Sequence, residues 1–446
     1  MSKVSDRRIV LLDPHGETGG VNPHYLHHLL SAGERYDVRA GADITSESGA
    51  RLLAARTRLD EDVREVLRHS RPSRPLENSV VIADGIGGAQ LQQLAAQLID
   101  EYPLLLALDA VDADESLPEV IGRLRLSPPL QALLTVYAEQ PGERLRHAVG
   151  VALLTLSMAR KLLPGKAMLQ RQLALAALVH DVGELFIEPV FHDRERELDA
   201  TVFRQIASHP LIGSRVLAAM EGAGPLVADA VLSHHERLDG FGYPRGIADE
   251  QFTLPQQLLA KAEWLAGLIE AGTGPLMRAT ISAKLIPGEF SQPVSLLVYM
   301  ATRGSREMAE FLDSVETEQQ LARKAAMVVT LLRRFLGLRA LVDGVLAKAG
   351  PELRAVMERG LQRLQRIHAV FGSAGLDHSM SPEQLIAGIK ARPDPDERQE
   401  LLNLVDEFGW RMREIERTFR LRGSLMAPGD AALMQAFVAQ LKGDLA

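Results

Sequence analysis

Six of the thirteen histidines in this 446-residue chain fall between His147 and His235, and five of these sit where a metal ligand could. Glu143 precedes His147 by one helical turn, so both side chains point the same way. His180 and Asp181 close an apolar helix in the run Leu178-Val179-His180-Asp181-Val182-Gly183-Glu184. An adjacent His–Asp pair is costly to bury there unless the two groups bind something. The imidazole can ligate one ion while the carboxylate bridges two. His209 opens His209-Pro210-Leu211-Ile212-Gly213 at a helix start, and His234 and His235 are neighbours ahead of a Gly-rich run ending in Tyr243-Pro244. A lone histidine in any of these places is more often structural. Five in one helical region, one beside an aspartate and two side by side, point to a metal centre. There is no cysteine, which excludes thiolate sites, iron–sulfur clusters, disulfide scaffolds and cysteine nucleophiles, so any metal must be held by nitrogen and oxygen.

Other motifs carry less. Gly85-Ile86-Gly87-Gly88 has two glycines of a dinucleotide fingerprint without its spacing and reads as a turn; Gly16 to Gly20 has no following Lys-Ser/Thr and is no P-loop. His24, His27 and His28 have a helical metal spacing but no acidic partner in register, and read as surface or core histidines. No HExxH spacing and no nucleophile elbow occurs. Fifty Lys+Arg against 58 Asp+Glu give a formal charge of −8, which argues against general nucleic-acid binding. The N-terminus has no targeting signal, and the longest apolar runs, such as Leu173 to Val179, fall short of the ~20 residues that span a bilayer. A soluble, cytoplasmic protein without a membrane span is expected.

The elements that must position these residues change character along the chain. The length predicts two or three domains. The first third reads as mixed α/β, with short strands expected at Ile9 to Leu12, Tyr36 to Ala40 and Val80 to Ala83, and helices at Glu61 to His69 and Leu91 to Tyr102. From about Leu130 the pattern is almost purely helical. Val149, Leu153, Leu156 and Leu163 stripe one helix that stops near Pro164, and Leu173, Ala177 and Leu178 belong to a second that must be buried. Beyond about Asp343, Leu353, Met357, Leu361, Leu364, Ile367 and Phe371 line a long amphipathic helix, with Arg354, Arg359, Arg363 and Arg366 expected on a solvated basic face of a helix packed on a neighbour, or on a partner-binding helix. Pro393-Asp394-Pro395 breaks the tail before further helix.

The constellation resembles the HD-GYP family, helical metal-dependent phosphodiesterases of bacteria that hydrolyse cyclic di-GMP in signal transduction. His147 matches the first family histidine, His180-Asp181-Val182-Gly183 the HD motif, His209-Pro210-x-Ile212-Gly213 the next histidine, and His234 to Pro244 the HHExxDGxGYP signature in full. The spacings are family-like as well: 33 residues from His147 to His180, 29 to His209 and 25 to His234. The likeness covers roughly residues 130 to 345. It implies a mainly α chain: an α/β N-terminal regulatory or dimerisation domain (1–129), an all-helical HD-type phosphohydrolase domain (130–345) and a helical C-terminal extension (346–446) that lengthens a dimer interface or caps the domain.

Two positions depart from the family pattern. Glu184 stands where the HDxGK lysine, which resembles a phosphate-contacting cation, is expected. In Leu258-Leu259-Ala260-Lys261-Ala262-Glu263, glutamate replaces the last ligand aspartate with the same charge on a longer arm. The resemblance implies a ligand set of His147, His180, Asp181, His209, His234, His235 and Glu263, with Glu143 as the extra carboxylate some members use for a third ion. Asp181 and Glu184 are the candidate catalytic carboxylates, and Glu184 could also become a ligand or pair with an arginine. Arg237, Asp239, Gly240, Gly242, Tyr243, Pro244 and Arg245 form the candidate substrate face, with Arg237 and Arg245 as replacements for the missing lysine; the Gly-rich loop is either such a face or a turn only.

Two or three divalent ions, iron or manganese by the donor set, with nickel and zinc as further fits, would activate water for in-line attack on a phosphodiester. Three functions follow as expectations. The first is hydrolysis of cyclic di-GMP to pGpG or GMP, by a homodimer that could meet diguanylate cyclase-type proteins through the GYP loop. The second is a catalytically impaired homologue acting as a cyclic di-GMP receptor or a protein scaffold. The third is a phosphohydrolase of the wider HD superfamily acting on another nucleotide.

Overall fold

The computed structural model describes residues 20–108, 114–188, 200–248, 251–270, 276, 279–280, 288–302, 322–327, 329–330, 341–373, 380–391 and 395–442. The expected strand at Ile9 to Leu12, the glycines from Gly16 to Gly19, His192 and Pro393-Asp394 lie outside these residues. The chain divides into two compact units. The first comprises Met1–Glu236, Gly242–Gly246 and Glu250–Gly267, and the second Arg237–Phe241, Ile247–Asp249 and Leu268–Ala446. The expected border near residue 129 is therefore not a border between compact bodies, because the N-terminal segment and the metal-region helices share one unit.

In the first unit, helix α1 (Pro23–Ala32) starts at Asn22, whose Oδ1 accepts from the backbone N–H of His24 and Tyr25, with Pro23 at the first helical position. Four short strands follow: β1 (Val38–Ala40), β2 (Ile44–Thr45), β3 (Arg51–Leu53) and β4 (Val80–Ile82). They form two antiparallel pairs, β1 with β4 and β2 with β3, and both inward residues of β1, Val38 and Ala40, are buried. Helix α2 (Arg64–Arg68) lies between β3 and β4 in the chain, and α3 (Gly88–Glu101) begins at the Gly85 to Gly88 turn expected from the sequence. After α4 (Pro103–Leu108), helix α5 (Leu117–Gly122) carries a capping box: Ser116 receives the Glu119 N–H and Glu119 receives that of Ser116.

The helical layer then begins with α6 (Pro128–Ala138), capped by Ser127, which packs against β4. Helix α7 (Arg144–Leu162) is buried from Ala148 to Ala159, and Arg160 and Lys161 in its last turn complement the helix dipole. It packs on α8 (Ala167–Leu178), whose residues Leu173 to Leu178 are all buried, as its uniform apolarity requires. A 3₁₀ turn at Val182–Phe186 leads to α9 (Ala200–Ile206), α10 (His209–Ala218), α11 (Gly224–Leu232) and α12 (Leu254–Glu270). The contacts form a chain: α7 on α8, α8 on α11, α11 on α10, and α10 on the 3₁₀ turn. Helix α1 also packs on that turn, where the Tyr25 ring stacks on Phe186 at 4.9 Å and Asn22 donates to the Phe186 carbonyl.

The second unit contains α13 (Gln292–Thr302), α14 (Pro351–Ser373), α15 (Pro382–Lys390), α16 (Pro395–Ser424) and α17 (Pro428–Lys442). Its core joins Phe241 to Leu353, Met357, Leu364 and Ile367 of α14 and to Phe419 and Phe437. The amphipathic helix expected from Leu353 to Phe371 is α14, but its basic face is not uniformly solvated. Arg363 is 1% exposed, because Asp239 (2.8 Å), Glu289 (3.0 Å) and Glu414 (3.0 Å) surround its guanidinium. Arg411, fully buried, joins the same network through Glu289, Glu407 and Glu414. Periodicity assigns a helix face by angle, and it cannot see a buried acidic cluster supplied by distant segments.

Truncating one member of such a network leaves buried carboxylates unpaired. Arg363→Ala is expected to cost about 3–5 kcal/mol in urea unfolding. The exposed Arg354→Ala should change the unfolding free energy by less than about 0.5 kcal/mol.

Candidate metal centre

Three histidines use one local device. His180 follows α8, His209 opens α10 and His234 follows α11. The Nδ1 of each bonds the backbone carbonyl three residues earlier: Ala177 at 2.7 Å, Ile206 at 2.6 Å and Val231 at 2.6 Å. A helix end has unpaired carbonyls, so the ring caps the chain and places its proton on Nδ1. In the neutral ring each Nε2 is then left as an inward-facing lone pair, which is the form of imidazole that binds metals.

These nitrogens converge on Asp181. Its Oδ1 lies 3.2 Å from His209 Nε2 and 3.4 Å from His234 Nε2, and its Oδ2 lies 3.1 Å from His180 Nε2 and 3.8 Å from His147 Nε2. The carboxylate thus offers one oxygen to each of two imidazole sets. Glu263 on α12 completes the second set, with Oε2 3.0 Å from His147 Nε2 and 3.1 Å from His180 Nε2. Two groups of convergent donors result: Asp181, His209, His234 and His235, and His147, His180 and Glu263, with donor atoms within 4.8 Å of one another in each.

The donors fit metal ions on two further observations. His180 Nε2 and Asp181 Oδ1 are buried and, despite their short contacts, make no properly directed hydrogen bond. In their neutral forms, with the hydrogen on Nδ1, His209 and His234 face each other through two Nε2 lone pairs at 2.9 Å. Two lone pairs so placed repel unless a proton or a cation lies between them and their neighbours.

Electrostatics agree. Burial alone would raise the Asp181 and Glu263 carboxyls, yet the surrounding imidazoles hold both well below the usual carboxylate range. Burial would lower His180, but Asp181 and Glu263 outweigh it and draw the ring up to about 10. His234 goes the other way: burial, with positive charge on His209 and His180, brings it down to about 4. His235 is likewise lowered by burial and by its histidine neighbours. The cluster therefore demands positive charge at one place and keeps neutral imidazoles at the others.

The seven residues His147, His180, Asp181, His209, His234, His235 and Glu263 are thus brought together. Glu143 is not: its carboxylate is 81% exposed and pairs with Arg146 Nε at 2.9 Å, because the residue precedes α7 and turns away from it. Glu184 stands in neither donor group. It pairs with Arg144 at 2.8 Å, so the arginine beside it is neither Arg237 nor Arg245. Arg237 belongs to the second unit, 3.4 Å from Glu289 and over the Phe290 ring. Arg245 donates its backbone N–H to Glu236 and its Nη2 to Ser233 Oγ.

The Gly-rich loop is divided. Asp239 and Gly240 lie in the second unit, where Asp239 accepts from Arg363 and from the Phe241 N–H, and the Gly240 carbonyl accepts from Arg422. Gly242, Tyr243 and Pro244 lie in the first unit, where the Tyr243 ring stacks on His235 at 4.6 Å and the Tyr243 N–H donates to the His235 carbonyl. His28 is buried and His27 is exposed, and neither belongs to a group of three or more potential metal ligands among the described residues.

Two contributors escape sequence reasoning. Tyr137 on α6 is buried with its hydroxyl 3.4 Å from Asp181 Oδ2, and no motif marks it. Arg144 stands three residues before His147, a spacing that puts both on one helix face, and that signal was available.

Residues 128–284 match the HD domain family. The chain is 33% identical over 226 residues to a cyclic di-GMP phosphodiesterase of Pseudomonas aeruginosa, covering 49% of this chain and 51% of that protein. It is 28% identical over 182 residues to 3'3'-cGAMP-specific phosphodiesterase 3 of Vibrio cholerae, covering 39% of each. It is 29% identical over 133 residues to the cyclic di-GMP phosphodiesterase response regulator RpfG of Xanthomonas campestris, covering 29% of this chain and 32% of that one. The chain spans about half the length of the first of these relatives, and less of the others. The matched segment is an HD domain, a helical fold around a His–Asp centre. Within that segment, the signature from His234 to Pro244 resembles that of the HD-GYP family.

Gly183 sets the position of Asp181. A Cβ there would lie 2.1 Å from the His209 carbonyl oxygen and 2.7 Å from the Gly213 nitrogen, both backbone atoms of α10. Gly183→Ala is expected to push the 3₁₀ turn off α10, destabilise the protein by about 1–3 kcal/mol and lower the bound metal per chain measured by inductively coupled plasma analysis.

Proposed function

We propose that the chain is a metal-dependent phosphodiesterase of cyclic dinucleotides, with cyclic di-GMP hydrolysed to pGpG or GMP. The observation that carries this reading is the pair of donor groups sharing Asp181. Two ions bound there, iron or manganese by the nitrogen–oxygen donor set, would neutralise phosphate oxygens and lower the pKa of a nucleophilic water. His147, His180 and Glu263 would hold one ion, His209, His234 and His235 the other, and Asp181 both. The chain's own contribution is orientation. Backbone carbonyls aim three imidazoles, the Tyr137 hydroxyl steadies Asp181, and Tyr243 packs on His235 beside the site. The names of the relatives support cyclic di-GMP and leave 3'3'-cGAMP as a second substrate of the same class. Glu184 in place of the expected lysine supports the other reading, a cyclic di-GMP receptor with impaired catalysis.

One experiment separates these. The protein is reconstituted anaerobically with Fe(II) or Mn(II) and incubated with cyclic di-GMP and 3'3'-cGAMP, and the products are resolved by chromatography. Linear dinucleotide is expected, and Asp181→Asn should abolish it with at least a tenfold loss of metal affinity. Full metal occupancy without turnover would reject the hydrolase reading, and binding without turnover would favour the receptor.

The raised His180 also sets a pH dependence. Without metal, His180 keeps its proton up to about pH 10, so an ion must displace that proton on binding. Mn(II) affinity is expected to fall about tenfold for each pH unit lowered from 8 to 6, measured by calorimetric titration in buffers of differing ionisation enthalpy.

A further inference from the structure

At the rim of the buried donor groups, an arginine and a glutamate meet. Arg144 opens α7 one turn before His147, so the two share a helix face. Glu184 lies three residues beyond Asp181 in the 3₁₀ turn. Their side chains approach to 2.8 Å and are 24% and 15% exposed, whereas His180 and His234 are fully buried. The pair is therefore the solvent-facing side of the residues that flank the cluster. Arg144 also lies over the Tyr137 ring, 6.0 Å from its centroid, and Tyr137 reaches Asp181 through its hydroxyl. One guanidinium nitrogen is held by the Pro141 carbonyl and another by Glu184. A guanidinium has five N–H donors in a rigid fork, so donors are left for an incoming anion. Alone at this rim, the Glu184 carboxylate would repel a phosphodiester; bound to Arg144, its charge is offset and it serves as an anchor.

We propose that Arg144 is the phosphate-binding cation of this site and that Glu184 is the residue that positions it. This rests on the phosphodiester reading above. A guanidinium fixed at Nε by the Pro141 carbonyl and at Nη1 by Glu184 keeps further N–H groups, on Nη2 above all, for a non-bridging phosphate oxygen, and its orientation is one that a mobile lysine does not have. The residue that looks like a defect by charge thus acts as a support for a cation from another helix.

Charge and positioning predict opposite signs for one variant. Removing the negative charge in Glu184→Gln should tighten anion binding if only net charge matters, and should loosen it if Glu184 orients Arg144. The full chain is loaded with Mn(II), its metal content is measured, and the affinity for a phosphorothioate analogue of cyclic di-GMP is determined by calorimetry. Arg144→Ala is expected to weaken binding roughly tenfold to a hundredfold at unchanged metal content, and Glu184→Gln to weaken it several-fold. The double variant Arg144→Ala/Glu184→Lys should recover binding relative to Arg144→Ala. Unchanged affinity in Arg144→Ala, tighter binding in Glu184→Gln, or loss of metal in Arg144→Ala would each overturn the assignment. Failure of the metal-loaded wild type to bind the analogue would instead reject the phosphodiester reading, and this assignment with it.

Discussion

Asp181 is a buried carboxylate with an imidazole set on each side, and the surrounding helices are arranged to meet that demand. A buried anion costs several kcal/mol unless opposite charge and directed contacts surround it. Here its two oxygens face His209 and His234 on one side, and His180 and His147 on the other. Those rings come from the ends of α8 and α11 and the starts of α10 and α7, so these helices must terminate or begin at the same place. Gly183 makes this possible by letting the 3₁₀ turn touch the backbone of α10.

The capping of helix ends by ligand histidines joins folding to chemistry. Each Nδ1–H bonds a carbonyl at a helix end, and in the neutral ring the same bond selects the tautomer whose Nε2 faces inward. No separate orienting carboxylate is needed for these three rings. The second unit solves a similar problem by ion pairing alone: Arg363 and Arg411 are buried among Glu289, Glu414, Glu407 and Asp239, and Asp239 is a residue of the signature that follows His235. The same Asp-Gly sequence therefore has a structural task within that unit, whereas Tyr243 a few residues later stacks on a candidate ligand.

Much of this was legible before any coordinates. The apolar run ending in His180-Asp181 could only be a buried helix with a polar terminus, and α8 has that form. The family pattern set against Leu258 to Glu263 named Glu263 as a candidate donor, and it lies 3.0 Å from His147. Glu143 was misplaced because helical spacing fixes an angle but not whether a residue lies inside the helix. It precedes the first turn, so the i, i+4 argument fails and the side chain turns to Arg146. Arg363 was assigned to solvent because its acidic partners lie 51 to 124 residues away in sequence.

Residue types and spacings by themselves determined the helical class, the absence of thiolate ligands and the histidine and aspartate donors, and the family resemblance added Glu263. The first three follow from local periodicity and from the chemistry each side chain can do. Only the tertiary structure decided that Asp181 faces two imidazole sets, that Tyr137 reaches it, and that Glu184 is bound by Arg144. The physical reason is that burial and pairing depend on which distant segments come within a few ångströms, and no local pattern carries that information. The acidic residue at position 184 shows the difference most plainly: its sign was visible in the chain, and its partner only in the fold.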